Sequence, residues 1–327
     1  MPAEDGAVEV RGALDVSGGD LQVADASGTL PAVLAHRRRR YALDRHNAAI
    51  GSPSVNAPAA KAARFAALHR GESPLLLPNP WDSGSARLLE SLGFDALATT
   101  SGGHAATLGR LDGAVTREEA IAHAAAIAAA TELPVSADLE DGFADDPAGV
   151  AATVELALAA GLAGGSIEDA TGRPEAPIHD AGLAAERVAA AAKVAHGGPV
   201  RFVLTARAEN YLHGVTDLAD TVARLQAYER AGADVLYAPG LTDLEDIRAV
   251  VAAVSLPVNV LALPGTPPVA ELAAAGVSRI SVGSAFAFAA LDAVVEAAQE
   301  LRERGTYGFS DRAGAGSKAA RVAFRSR

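Results

Sequence analysis

The sequence predicts an α/β protein, a (β/α)8 or TIM barrel, and three observations carry the prediction. Eight short β-rich runs alternate with Ala- and Leu-rich amphipathic stretches, spread over about the 250 residues such a barrel takes. Glycines stand just ahead of several of these runs, at Gly93, Gly161, Gly232 and Gly276, where a helix C-cap uses a left-handed residue. Their recurrence at corresponding places is a weak internal repeat. No Gly-x-Gly-x-x-Gly follows the first run, which argues against the alternative of an open doubly wound sheet. Strands alternating with helices then imply a parallel sheet with right-handed crossovers.

Residues 1–58 are rich in Gly, Ala, Ser and Asp without periodicity and predict a flexible N-terminal extension. The barrel domain is expected over residues 59–309. Its first strand is Leu75 to Pro78, an apolar run ended by proline, and Asn79-Pro80-Trp81-Asp82-Ser83-Gly84-Ser85 reads as a helix start capped by Asp82 or Ser83. The second strand is Ala96 to Ser101, and the third is Pro134 to Glu140, after an alanine-rich helix. Gly165 to Asp169 is the fourth, and Phe202 to Glu209, dense in β formers, the fifth. Asp234 to Pro239, Pro257 to Leu261 and Arg279 to Gly283 complete the set, each bounded by Gly or Pro. The last barrel helix is Ala285 to Arg304, and residues 310–327, with Gly, Ser and Arg, are expected to be a mobile tail.

With 327 residues, half of them hydrophobic, the chain can bury a large core. A net charge of −12 argues against a nucleic-acid partner, which would need clustered Lys and Arg on one face. Arg37 to Arg40 form a basic run, and its unpatterned surroundings make it a solvated tail. Charges interrupt every apolar stretch and no basic start leads an apolar segment, so a cytoplasmic protein with no membrane partner is expected. Absence of cysteine excludes thiol chemistry. Lysines occur at 61, 193 and 318, none on an expected strand, which argues against a Schiff-base aldolase.

Barrels of this kind place their active sites at the C-terminal ends of the strands. Strand three ends in Asp138-Leu139-Glu140-Asp141-Gly142, a cluster that is costly unless a cation neutralises it. Two residues apart on a strand, Asp138 and Glu140 would project to one side and grip a hard metal ion. The bland reading is that they pair with Arg207 and cap the next helix. Glu168-Asp169 ends strand four, and Arg207, inside an apolar strand, needs a partner: a substrate carboxylate or Glu209. Oxygen-only donors favour Mg2+ or Mn2+ over zinc. Ser101-Gly102-Gly103 is either an ordinary turn or a cradle of backbone N–H groups for an anion. Strand seven carries Asn259. Val282-Gly283-Ser284 is explained equally by helix capping and by phosphate binding. Tyr211 and His213 are candidate acids in the loop after strand five. His104, His179 and His213 otherwise read as surface histidines.

The ordered set Ser101-Gly102-Gly103, Asp112, Asp138-x-Glu140-x-Gly142-Phe143, Ile167-Glu168-Asp169 and Ala206-Arg207-x-Glu209 resembles the isocitrate lyase and phosphoenolpyruvate mutase superfamily from about Ala60 to Phe309. The resemblance implies a (β/α)8 barrel that holds Mg2+, with Asp138 as direct ligand and Glu140 and Glu168 ordering the shell. It implies that Arg207 and the amides after Ser101 hold a 2-oxo-carboxylate, and that Asp112 lies near the reacting bond. Arg207, Asp112, Glu209 and Tyr211 are thus the catalytic candidates, and Ser101, Gly102, Gly103, Arg207 and Asn259 the substrate-binding ones. The chain departs from the family's cysteine-bearing loop after strand four: Ala170-Thr171-Gly172-Arg173-Pro174-Glu175-Ala176-Pro177 has no Cys and no Lys. The resemblance therefore implies a Mg-dependent C–C lyase or decarboxylase acting on a 2-oxo or 2-hydroxy acid through an enolate. The alternative is a C–P mutase or hydrolase acting on phosphonopyruvate. A homodimer or homotetramer built on the C-terminal helix is also implied.

Overall fold

A computed structural model of the chain describes residues 57–325. All but the last two residues of the expected N-terminal extension, and the Arg37–Arg40 run with them, lie outside the described residues. The first helix, α1 (Ala57–Leu68), precedes β1 (Leu75–Leu77), α2 (Ser83–Ser91), β2 (Leu97–Ala98), α3 (Ser101–Thr107) and α4 (Arg117–Ala130). Then come β3 (Val135–Asp138), α5 (Pro147–Ala159), β4 (Gly164–Glu168), α6 (Ala181–Gly197), β5 (Val203–Arg207) and α7 (Leu218–Ala231). The chain continues with β6 (Val235–Tyr237), α8 (Leu244–Ala253), β7 (Val258–Leu261), α9 (Val269–Ala274), β8 (Arg279–Ser281) and α10 (Ala285–Gln299). A π-helical segment, Glu300–Arg304, and α11 (Ser310–Ala323) end it.

The eight strands form one parallel sheet in the order β1-β8-β7-β6-β5-β4-β3-β2. Ala98 N–H donates to the Pro78 carbonyl at 3.1 Å across the remaining seam, so the barrel is all but closed. Gly93, Gly161, Gly232 and Gly276 have φ of 90, 79, 103 and 87°, the left-handed geometry expected of them. Asp82 caps α2, its carboxylate accepting from Ser85 N–H at 2.6 Å. The main core lies between the outward faces of the strands (Ala137, Ile167, Leu204, Leu236, Val260, Ile280) and the inner faces of the helices (Ile127, Val154, Val188, Leu225, Ile247).

Helix α1 plugs the end of the barrel where the strands begin. Phe65 packs with Leu75, Leu77, Val203 and Val235, and His69 follows one turn later. His69 Nδ1 lies 2.8 Å from the Phe65 carbonyl, so that nitrogen carries the proton and Nε2 accepts from Arg279 Nη1 at 3.3 Å. Burial, and next the Arg279 charge, push His69 down to about 3, which keeps the ring neutral beside the guanidinium.

Several expected elements differ. Strand β2 is only Leu97–Ala98, because Thr100 caps a helix whose first turn is Ser101-Gly102-Gly103. Strand β3 stops at Asp138, and Glu140 has φ 48°, so the alternation that was to align Asp138 and Glu140 does not apply. The expected mobile tail contains α11, which packs on α2 and brings the Phe324 ring within 5.7 Å of the Arg87 guanidinium. Helix α10 stands away from the barrel: of its residues only Ala287 is buried, and Leu76, in the middle of β1, is 41% exposed.

Candidate active site

Neighbouring strands pair Glu168 with Arg207 and Arg207 with Tyr237 in register, which gathers their side chains at one level of the barrel mouth. Arg207 ends β5 and is the hub. Its Nη1 lies 2.9 Å from Asp138 Oδ1 and 3.1 Å from Glu168 Oε2, while Glu209 Oε1 accepts at 2.7 Å. Three protein carboxylates, the expected Glu209 among them, thus pair with it. Ionised together, three carboxylates and one guanidinium leave a net charge of −2 in a site largely withdrawn from water.

Electrostatics records that imbalance. Burial, and then Asp138, push the Glu140 carboxyl up to about 8. Burial also raises Glu168 well above the usual carboxylate range, and Arg207 only partly opposes it. Burial alone would lower the Arg207 guanidinium, but Glu168, Glu209 and Asp138 more than reverse the effect, so it stays charged. The Tyr237 ring lies 5.2 Å from the Arg207 guanidinium carbon, and burial pushes its phenol up to about 12.

A cavity of about 190 Å³ opens beside this hub, lined in part by Ser101, Asp112, Asp138, Arg207, Tyr237 and Asn259, with Ser136, Ser166 and Leu212 among its other walls. That is room for a small organic acid. Asp112 comes from the loop after α3 and packs against Gly102, where a Cβ would stand 3.1 Å from Asp112 Oδ2 and 2.7 Å from Ser284 Oγ. Ser101 N–H donates to Asp138 Oδ2 at 3.1 Å and Gly103 N–H to Thr100 Oγ1 at 3.3 Å. Two amides of the expected anion cradle are thus engaged within the protein.

Other expected residues fall in different places. Asn259 lines the cavity, yet its amide donates to Ser281 Oγ and its oxygen accepts from Arg279. Glu209 is buried behind Arg207 and outside the cavity lining. Tyr211 is also absent from that lining; its Cβ packs near Gly240, while the next residue, Leu212, reaches the cavity. Asp169 is turned away from the mouth into a buried network: it accepts from Tyr228 at 2.5 Å and Arg224 at 3.1 Å. The amides of Val282 and Gly283 donate to Asn79 Oδ1, both at 3.0 Å, so they are engaged within the protein, and Ser284, at the start of α10, makes no side-chain cap. His104 and His179 are buried, not surface residues: His104 stacks on His123 with centroids 3.8 Å apart, and His179, at the end of the loop after β4, donates its backbone N–H to the Asp169 carbonyl at 2.8 Å. In that loop Arg173 pairs with Asp145 at 2.9 Å.

Tyr237, Arg279 and the small hydroxyls Ser136 and Ser166 were not anticipated in the cavity wall. Strand alternation from Asn259 and Arg207 could have flagged Tyr237; nothing local distinguishes Arg279 at a strand start.

Among the described residues no three His, Asp or Glu side chains converge as a ready-made metal cage. The donor chemistry nonetheless fits a hard divalent cation: carboxylate oxygens only, in electrostatic deficit, with Asp138 on the cavity wall and Glu140 and Glu168 beside it.

A (β/α)8 barrel whose mouth gathers carboxylates around Arg207 beside a small cavity is built to bind a small organic acid. The Phosphoenolpyruvate phosphomutase family model matches residues 65–302, and the chain belongs to that family, within the phosphoenolpyruvate mutase/isocitrate lyase superfamily. It is an enzyme of the lyase and mutase class, whose members generally use a divalent metal. A Burkholderia cenocepacia J2315 protein provisionally assigned as a lyase/mutase superimposes with a TM-score of 0.77 at 53% identity, covering 78% of this chain and 92% of that one. Oxaloacetate decarboxylase 2 of Pseudomonas fluorescens is 30% identical over 257 residues, 75% of this chain and 84% of its own length. The 2,3-dimethylmalate lyase structure gives a TM-score of 0.70 at 30% identity, over 78% and 90% of the two chains. Among the described residues no helix is long and apolar enough to cross a membrane.

Proposed function

We propose that the chain is a divalent-metal-dependent lyase or decarboxylase that breaks a C–C bond next to the oxygen-bearing carbon of a small 2-oxo or 2-hydroxy acid. One observation carries this reading: a cavity of about 190 Å³ presents the Arg207 guanidinium, with Arg279 also in its wall, against an acidic surround in electrostatic deficit. Asp138, with Glu140 and Glu168 through water, would hold Mg2+ or Mn2+. When bound, such an ion supplies Lewis-acid stabilisation to oxygen charge that develops as the bond breaks.

The protein's own groups do the rest. Arg207, kept protonated, receives the substrate carboxylate and the developing enolate oxygen where they form. Asp138 and Glu168 hold its fork in place, and Glu209 secures it from behind. Asp112, beside Gly102 at the rim, is placed to orient the departing fragment. Tyr237 offers a phenolic O–H at the cavity wall and is, in this reading, a better-placed proton donor than Tyr211.

The test is turnover of oxaloacetate, its alkyl-substituted relatives and 2-methylmalate before and after EDTA. Loss of activity on chelation, restored by Mg2+ or Mn2+, is expected; undiminished turnover sinks the metal reading. The family's phosphomutase description favours a second reading, C–P chemistry on phosphonopyruvate. Against it, the loop after β4 has neither the lysine nor the asparagine that the resemblance to the phosphoenolpyruvate mutases implies for it. Phosphorus NMR that shows phosphonopyruvate unconsumed removes it.

The same reading includes a homo-oligomer. Phe286, Phe288, Leu291, Val294 and Val295 leave α10 apolar and exposed, and Leu76 leaves β1 uncovered, which supports helix exchange between two or four copies.

A further inference from the structure

The carboxylate turn after β3 is strained, and its support comes from a residue outside every motif above. Glu140 and Phe143 have φ of 48 and 53°, and Gly142 between them has φ 75°. Two non-glycine residues in left-handed geometry within four positions persist only where the surroundings over-determine them. Here the surroundings are identifiable. Thr153 Oγ1, from α5, donates to the Gly142 carbonyl at 2.6 Å, and Phe143 N–H donates to Asp141 Oδ1 at 2.8 Å.

A third support is Arg187, in the middle of α6 and 1% exposed. Its Nη2 donates to the carbonyls of Asp141 and of Ala144, the latter at 3.0 Å, and its Nη1 to the Glu168 carbonyl at 3.5 Å. All three acceptors are backbone carbonyls. Buried arginines are ordinarily paired with carboxylates, so a guanidinium whose two Nη groups bond only main chain, with Nε left unpartnered, is a device for fixing backbone. Its acceptors lie on two segments, the turn that carries Glu140 and the end of β4 that carries Glu168. Glu168 N–H also donates to the Glu140 carbonyl at 3.0 Å, so the guanidinium underpins a junction already stitched.

We propose that Arg187 is a positioning residue for the cation site: it clamps the left-handed turn to the end of β4 and thereby sets the spacing of Asp138, Glu140 and Glu168. The proposal rests on the metal-site reading above. A planar fork is required, because donors must reach carbonyls on both segments at once. Lysine, a single point, can reach one of them.

The experiment compares full-length, metal-stripped wild type with Arg187→Gln, Arg187→Lys and Thr153→Val. Mn2+ affinity is read by titration calorimetry, backbone exchange over residues 139–145 by hydrogen–deuterium exchange, and folding by thermal melting in EDTA. Arg187→Gln is expected to weaken Mn2+ binding about 10- to 100-fold, the range for groups that orient metal ligands. Exchange in the turn should rise with it. Arg187→Lys should fall between, and Thr153→Val should shift both readouts the same way by less. Should Arg187→Gln fail to fold, the Lys and Val variants decide. Folded variants with Mn2+ affinity within twofold of wild type and unchanged turn exchange overturn the proposal. If the wild type itself takes up no Mn2+, the metal reading fails, and turn exchange alone then confirms or rejects the clamp.

Discussion

Arg207 and its carboxylates show how residue chemistry constrains this site. Removing the guanidinium strands three buried or part-buried carboxylates, so Arg207→Ala should cost about 3–5 kcal/mol of stability as well as activity, measured by urea unfolding in EDTA. Arg207→Lys keeps the charge and loses the fork; it should fold and still lose most of kcat/KM. His104 supplies a pH signature away from the metal ligands. Burial, with His123 second, lowers it from 6.5 to about 4. The unfolded chain therefore binds a proton between pH 6.5 and 4 that the native state refuses, so stability is present above 6.5 and lost as pH falls toward 4. The other charged groups facing His104 are Glu119 and Arg110, with Asp82 acting on His123. In melts across that window, His104→Phe should flatten the slope; an unchanged slope would reject the assignment. Asp138, Glu168 and Arg207 were legible as residue types at strand ends. Arg187 was not, because nothing in an alanine-rich helix reveals which arginine turns inward to meet two loops distant in sequence.

At the scale of elements, strand alternation and helix caps were readable and turn geometry was not. The glycine C-caps and the Asp82 cap are local, and each appears where the sequence places it. Helix α3 shows the limit: Thr100 and Ser101 look like a strand end, yet Thr100 caps a short helix whose glycines admit Asp112 and Trp81 at close range. Gly102→Ala should therefore displace Asp112 or Ser284, with kcat/KM down at least about tenfold and little change in melting temperature, since the mouth, not the core, is disturbed. Helix α10 carries the assembly prediction. Val294 is 64% exposed, and Val294→Glu with Phe288→Glu should shift the chain toward monomer in light scattering; an unaltered mass would remove the helix from the interface.

For the molecule as a whole, a cation that binds only the folded state should stabilise it. At about a hundred times Kd the gain is about 2.7 kcal/mol, several degrees in melting temperature for a chain of this size. Asp138→Ala should abolish the rise produced by Mg2+ or Mn2+; a rise that survives places the ion elsewhere. By itself the sequence determined the barrel, the mouth as the place of chemistry and the oxygen-only, thiol-free donor set, because periodicity, capping and residue type act over a few neighbouring positions. The tertiary structure alone decided that Arg207 is shared by Asp138, Glu168 and Glu209, and that Tyr237 joins the cavity wall. It also decided that Glu140 leaves the strand in a left-handed turn held by Arg187 and Thr153. Those outcomes depend on which distant groups meet in a barrel, where burial and charge sum over every strand end and no single segment contains the balance.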